Sequence, residues 1–457
     1  MSEQPPSTLK TGRIPPGPPG LPVIGNLLTM RRQELLDFYM SMYRQYGEVV
    51  RLKLGPMESY LFVKPEHIQH ILVKNVQTYA KGLGYEGLRL LMGQGLVTSE
   101  YEIWRSQRPI MQPYFTPRAI GQFAGMMTSV TARLLERWEK LAQGGKPVQI
   151  DNEMLRLTMS IIGEAMFNID LSEEAVEIGQ AFQSVFAFIA EYSVNPYGLP
   201  LWAPTPKNRR FSQHMKEIEA FIAQQIALGQ REPGRENLLA ALLRARDEQS
   251  GQGMDQKQLR DEAITLFFAG FETTARTLTW AWYLLAHHPE ATEKLAAEGR
   301  QVLGADLPTM ETLPRLEYAR MVVDETLRLY PPTGVLSRQN IMDDEIDGYH
   351  IPAKSLIVLS PYITHRLPDI WDQPDAFIPE RFAKNAPVSY PKHAYLPFGA
   401  GPRVCLGNNF ALLEVVIALA MAAPRFRLEV VDPQPVGFAF RGTTRPTKDI
   451  YLKISAR

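Results

Sequence analysis

Hydrophobic residues recur at helical spacing along most of the chain, which predicts a mainly α fold. That spacing predicts helices over residues 35–45, 102–112, 121–142, 152–167, 172–188, 211–228 and 316–330, with a short one over 65–73. Strand-like alternation is confined to brief runs. These are 48–54 and 60–63, joined by a Gly55-Pro56 turn, then 334–339, 345–351 and 355–360, with turns at Asp347-Gly348 and Ala353-Lys354, and finally 425–430 and 449–454, which would close a hairpin. The longest predicted element starts at Asp255, with Gln258 three residues on as a capping box, and continues to His287 before Pro289. At 1.5 Å per residue it would be about 48 Å long. Two stretches interrupt the periodicity. The glycine-rich run 81–95 carries Leu83, Leu88, Leu90, Leu91 and Met92, and so predicts a loop packed over an apolar space; the proline-rich run 196–206 predicts a break between helices.

Composition narrows the reading. With 45% hydrophobic and 21% charged residues the 457-residue chain is ordinary globular material. No linker, charge block or repeat divides it, so residues 21–457 are expected to form a single domain behind a polar, proline-rich segment, 1–20. Lys and Arg together number 49, as do Asp and Glu, so bulk charge gives no argument for nucleic acid. No apolar run reaches the ~18 residues of a membrane span, and the first residues lack a signal peptide's apolar core. One cysteine excludes an internal disulfide, which fits a cytoplasmic protein.

That cysteine, Cys405, lies in Phe398-Gly399-Ala400-Gly401-Pro402-Arg403-Val404-Cys405-Leu406-Gly407, just before an apolar helical run over 408–423. A lone cysteine is usually a small buried hydrophobe. Here glycines and a proline demand a tight turn and a close approach, and a helix N-terminus favours a thiolate, which suits a metal ligand. Mid-way along the long helix, Glu272 is flanked by apolar residues, and a buried carboxylate is costly unless paired or functional. The Thr273 hydroxyl can bond the carbonyl of Ala269 and open the helix locally; the plainer alternative is a small solvated channel without chemistry. Trp104 and Arg108 share a helical face, as a cation–π pair or as two groups holding an anion. Glu325 and Arg328, at i and i+3, would ordinarily be a solvated surface pair.

The cysteine loop resembles the haem-binding loop of the cytochrome P-450 family. Ala-Gly-x-Glu-Thr-Thr from Ala269 resembles that family's oxygen-activation motif. Trp-x-x-x-Arg at 104–108, Glu-x-x-Arg at 325–328 and Pro-Glu-Arg-Phe at 379–382 are similar to family motifs and stand in the family's order. The resemblance covers nearly the whole chain. It implies the cytochrome P-450 fold, mainly α with a small β-rich subdomain, and haem b between the long central helix and the cysteine helix.

It further implies Cys405 as axial iron ligand, and Lys81, Trp104, Arg108, Arg338 and Arg403 around the haem propionates. Ala269, Phe398 and Gly407 would lie against the haem. Glu272 would relay protons and Thr273 would hydrogen-bond dioxygen. Glu325, Arg328 and Arg381 would form a buried structural ion pair, and Leu88, Val97, Phe186, Phe268, Phe271, Val335, Leu336 and Phe438 would line the substrate pocket. The implied activity is insertion of one oxygen atom into a C–H bond of a hydrophobic small molecule, a fatty acid or a terpenoid, with Arg51 and Tyr60 as candidate carboxylate anchors. Electrons would come from NAD(P)H through a ferredoxin or flavodoxin and its reductase, docking near Arg105, Arg118 and Lys392. The family likeness is to soluble, bacterial-type, monomeric members, or to one whose anchor has been removed. The alternatives are a peroxide-driven or isomerase-type haem–thiolate enzyme and a non-enzymatic haem sensor or carrier; the Glu272-Thr273 pair argues against both.

Overall fold

The structure is a computed structural model that describes residues 12–171, 175–193, 199–232, 234–246 and 251–457. Its axis is the helix Gln256–His287, 32 residues long and buried over most of its length. Asp255 caps it, accepting a hydrogen bond from the Gln258 N–H at 2.7 Å. The helix Ile150–Phe167 packs along it. The two axes approach closely because position 270 is glycine: a Cβ there would stand 2.6 Å from the Ile162 side chain. Below lie Glu317–Leu329 and the cysteine helix Asn408–Ala422. Above lie Ala175–Ser193 and Pro206–Arg231, packed on each other.

Several boundaries differ from the sequence reading for identifiable reasons. The expected helix 172–188 has its first three residues outside the described residues, as are 196–198 of the expected proline-rich break. Pro206 does not prolong that break. It occupies the first turn of the following helix, where its missing N–H costs nothing, behind Thr205 as cap. The expected loop 81–95 is mostly helical, with a 3-10 turn Gly82–Tyr85 and an α-helix Glu86–Met92. Its glycines punctuate it instead of loosening it: Gly82 and Gly93, at either end, have φ of 62° and 53°. Several helices escaped the sequence reading, among them Leu238–Arg244 and Pro289–Leu303, although Asn237 and Pro289 are ordinary start signals for these two.

The largest sheet has five strands in the order Val49–Leu54, Met57–Phe62, Leu356–Leu359, Leu336–Asn340 and Tyr79–Ala80. Only the second and third run parallel, with Tyr60 opposite Ile357. The stretch 345–351, expected to turn at Asp347-Gly348, is a hairpin, Asp344–Ile346 with Tyr349–Ile351, in which Asp347 and Gly348 both take positive φ, 53° and 75°. Phe426–Val430 and Tyr451–Ala456 pair antiparallel, as expected, and Val148–Gln149 extends that sheet. Part of the N-terminal segment lies against the large sheet: the Arg51 N–H donates to the Pro16 carbonyl at 2.8 Å.

One buried knot ties helix to loop beneath the cysteine helix. Arg328 donates to both oxygens of Glu325, at 2.7 and 2.8 Å, and to the carbonyls of His365, Pro374 and Ala376. Arg381 and the Ile378 N–H add donors to Glu325. Both Glu325 and Arg328 are fully buried, so the solvated-pair alternative does not hold. Removing one partner of such a pair leaves a buried charge uncompensated, typically at ~3–5 kcal/mol. Glu325→Ala is therefore expected to lower unfolding free energy in denaturant by about 3 kcal/mol or more, whereas Lys207→Ala, at an exposed pair with Glu191, should cost under ~1 kcal/mol. Equal costs would show that burial of the knot carries no energetic weight.

Candidate functional site

The elements above enclose a cavity of about 1730 Å³. The long helix supplies one wall through Phe268, Ala269 and Thr273, and the cysteine loop supplies the opposite one through Phe398, Arg403, Cys405 and Gly407. Leu88 and Val97 roof it, and Phe186, Val335 and Leu336 complete the apolar lining.

The cysteine loop is shaped by its glycines. Gly399 and Gly401 have φ of 74° and 73°, and a Cβ at Gly401 would fall 2.0 Å from the Leu72 carbonyl oxygen. The Cys405 N–H closes the loop by donating to the Phe398 carbonyl at 2.9 Å. The thiol opens onto the cavity, yet the protein around it makes its setting a buried one. Burial pushes its pKa up, while the Gly407 N–H and the Arg108 charge pull it back. A sulfur at the base of a deep cavity, facing an N–H and a cation, is a suitable ligand for a metal that displaces its proton.

Four buried or half-buried cations converge on one end of the cavity. The Arg108 Nη1 donates to the Val404 carbonyl at 2.8 Å, and the Arg403 Nη1 to the Ser99 carbonyl at 2.9 Å. The Arg338 Nη1 donates to the Ser337 carbonyl at 2.7 Å, and the Lys81 ammonium lies 4.1 Å from the Tyr85 ring centre. The cation on Trp104 is Arg403, 4.9 Å from the ring, and not Arg108 as the i, i+4 spacing allowed. None of the four is in a salt bridge among the described residues. The nearest acid, Glu100, is engaged by Arg89 and by the Lys81 and Gly82 N–H groups. Burial, then Arg338 and Arg403, hold Lys81 well below its usual range; burial and Arg338 bring Arg403 to about 10. Such a cluster lacks counter-charge, and the two carboxylates of a haem would supply it. The residues present fit that group.

The remaining expectations are met unevenly. Thr273 Oγ1 donates to the Ala269 carbonyl at 2.8 Å and faces the cavity. Glu272 does not line it. Its carboxylate is fully buried and accepts from Arg276 Nε at 2.9 Å, Thr443 Oγ1 at 2.9 Å and Arg445 Nη2 at 2.7 Å. Burial alone would raise its pKa, but Arg276 and Arg445 hold it down at about 2. A carboxylate so held does not take up a proton near neutral pH, so the expected proton relay does not follow from this geometry.

Phe271 is also corrected. It lies inside the cluster of Phe182, Phe267 and Phe268, fully buried in the core. Phe438 packs on Tyr330 and Tyr362, and Phe440, nearer the hairpin tip, lines the cavity in its place. Arg51 is bound to Glu58 through two nitrogens, at 2.7 and 2.8 Å, and neither it nor Tyr60 reaches the cavity.

Two features were not read from the sequence. Arg445 and Thr443 partner Glu272 across more than 170 positions, and nothing local announces them. Asp261 and Glu262, consecutive on the long helix, accept the N–H groups of Gln94 and Leu96 at 2.9 and 3.0 Å and so hold the roof down. Two adjacent acids in an apolar helix could have been noticed.

A thiol on one wall, unmatched cations at one end and apolar walls elsewhere suit a flat, dianionic metal cofactor lying beside a greasy substrate. The comparisons agree. The chain matches the cytochrome P-450 family over residues 15–454. It is 34% identical to cyclooctatin synthase of Streptomyces melanosporofaciens over 91% of this chain and 90% of that one. It is 31% identical to cyclooctat-9-en-7-ol 5-monooxygenase of the same organism, over 94% and 95%. It is also 31% identical to LUTEIN DEFICIENT 5 of Arabidopsis thaliana, over 95% of this chain and 76% of that one. The chain belongs to the cytochrome P-450 family: it is a haem-dependent monooxygenase that uses dioxygen, a hydrophobic substrate and electrons from a separate partner. No helix among the described residues is long and apolar enough to cross a membrane.

The roof latch titrates. Burial raises Glu262 to about 8, against a Leu96 N–H that lowers it, with Asp261 adding to the rise. From about pH 5 to about 8 the unfolded chain has lost this proton and the native state has kept it, so the group's contribution to stability falls as pH rises through that window. Glu262→Gln removes the titration. The melting temperature of the variant relative to the unsubstituted protein is expected to climb from pH 5 to pH 8; a gap independent of pH would show that Glu262 titrates normally.

Proposed function

We propose that this chain hydroxylates a terpenoid-like small molecule, using haem b seated between the long helix and the cysteine helix. The observation that carries the reading is the cavity itself, with Cys405 on one wall, four cations without counter-charge at one end and apolar side chains over the rest. The relatives named for cyclooctatin and a cyclooctatenol favour a cyclic, hydrocarbon-rich substrate over a fatty acid. The fate of Arg51, fully engaged by Glu58, points the same way, since it was one of the two candidate carboxylate anchors.

When bound, the haem supplies activation of dioxygen and insertion of one of its atoms into a substrate C–H bond. The chain's own residues do the rest. Cys405 ligates the iron, and Arg108, Arg338, Arg403, Lys81 and Trp104 hold the propionates. Ala269, Phe398 and Gly407 form close walls. Thr273, whose hydroxyl donates to the Ala269 carbonyl and faces the cavity, would hydrogen-bond dioxygen. Ionised Glu272 anchors Arg445 and Thr443 instead of carrying protons. Phe186, Phe268, Leu88, Val97, Val335 and Leu336 exclude water and orient the substrate. Electrons come from NAD(P)H through a ferredoxin or flavodoxin that docks on the exposed cations Arg105, Arg118 and Lys392.

The test is optical. Haem-loaded protein, reduced and exposed to carbon monoxide, is expected to show thiolate-type absorption, and titration with a cyclic terpene should convert low-spin to high-spin iron saturably. A long-chain fatty acid should do so more weakly. Stronger conversion by the fatty acid would overturn the terpenoid reading, and loss of the thiolate-type absorption in folded protein would overturn Cys405 as ligand. For the partner, Arg105→Glu is expected to slow reduction several-fold at low salt and less at high salt; an unchanged rate would move the docking site elsewhere.

A further inference from the structure

One cation at the cavity belongs to neither the cofactor end nor the surface. Arg445, in the strand Thr444–Pro446, borders the cavity with its guanidinium 5.6 Å from the Phe186 ring centre. One edge of the guanidinium is fixed: Nη2 donates to Glu272 Oε1 at 2.7 Å, and Nε to Thr443 Oγ1 at 3.3 Å. Its remaining nitrogen, Nη1, has no partner among the described residues. The hairpin turn behind it packs tightly on Phe186, leaving no room for a side chain: a Cβ at Gly442 would stand 2.3 Å from that ring. Arg445 is therefore a preorganised donor set in an otherwise greasy wall.

We propose that Arg445 is a specificity-determining residue that donates a hydrogen bond to an oxygen already carried by the substrate, a hydroxyl or a carbonyl, so that the enzyme acts on a terpenoid that has been oxygenated once before. This rests on the monooxygenase reading above and narrows its substrate class. Charge balance selects an uncharged acceptor. The network holds two cations, Arg276 and Arg445, and two carboxylates, Glu272 and Asp151, so no net positive charge is left to hold an acid. The propionate end is built the other way, with cations and no paired carboxylate. A plain hydrocarbon would leave Nη1 desolvated and unmatched, and that penalty is what discriminates. The reaction class that supplies this substrate is then itself an oxygenation, or a cyclisation ended by water.

The experiment uses haem-loaded protein and a matched pair of ligands, the tricyclic hydrocarbon cedrane and its tertiary alcohol cedrol, with dissociation constants read from the spin-state shift. Cedrol is expected to bind about tenfold more tightly than cedrane, the size of one hydrogen bond from a charged donor. In Arg445→Met the ratio of the two constants should fall to about one. In Arg445→Gln, which keeps an N–H donor and guards against misfolding of the first variant, an intermediate ratio is expected. No preference in the unsubstituted protein, or a preference that survives Arg445→Met, would overturn the proposal and leave the monooxygenase reading standing. Failure of both ligands to shift the spectrum, with thiolate-type carbon-monoxide absorption intact, would overturn the terpenoid reading and this proposal with it.

Discussion

Four cations, Lys81, Arg108, Arg338 and Arg403, share one end of a cavity without a carboxylate to balance them. Burying like charges together is among the least favourable things a fold can do, and the depressed pKa values of Lys81 and Arg403 register that cost. The chain holds them there with backbone carbonyls and aromatic faces, which orient a cation but do not neutralise it. The protein thus carries an electrostatic deficit that a dianionic ligand seated there would remove. Such a ligand, bound only by the native state, would also stabilise the fold by mass action.

Elsewhere in the molecule buried charge is treated in the opposite way. Glu325 is bound by Arg328, Arg381 and a backbone N–H, and Arg328 spends its remaining donors on three carbonyls. Neutral His365 extends this knot, accepting from the Leu396 N–H just ahead of the cysteine loop, with burial and Arg328 holding its pKa at about 3. The contrast separates two purposes. The saturated groups of the knot hold the fold, whereas the open cations at the cavity are free to meet an anion.

This contrast explains what was legible in the sequence. The cysteine loop, the Glu-x-x-Arg pair and the long helix with its Asp255 cap are local patterns, and the structure places them together as their order implied. The turn at Asp347-Gly348 was legible too, since Asp-Gly is a local turn signal. The helix start at Pro206 was misjudged because one residue, a proline that suits a first turn as well as a break, decides it. Glu272 was legible only in part. Its apolar neighbours in sequence marked a buried carboxylate that must be paired or functional, but the partners that decide its setting, Thr443 and Arg445, sit on a distant hairpin. Phe271 and Phe438 failed similarly: aromatic character predicts burial, and it does not say whether the buried side faces a cavity or the core.

The long helix shows how far partners outweigh residue type. Glu262 and Glu272 stand ten positions apart on the same helix, both fully buried. One is raised to about 8 and the other lowered to about 2. Desolvation acts in the same direction on both, so the difference comes entirely from what surrounds them: a single N–H and a neighbouring acid in one case, two guanidiniums and a hydroxyl in the other. The weakly supported carboxyl tethers the roof through the Leu96 N–H, and the firmly supported one fixes Arg445 and Thr443 on a distant hairpin. One helix thus supports two walls of the site with carboxyls held in opposite electrostatic settings.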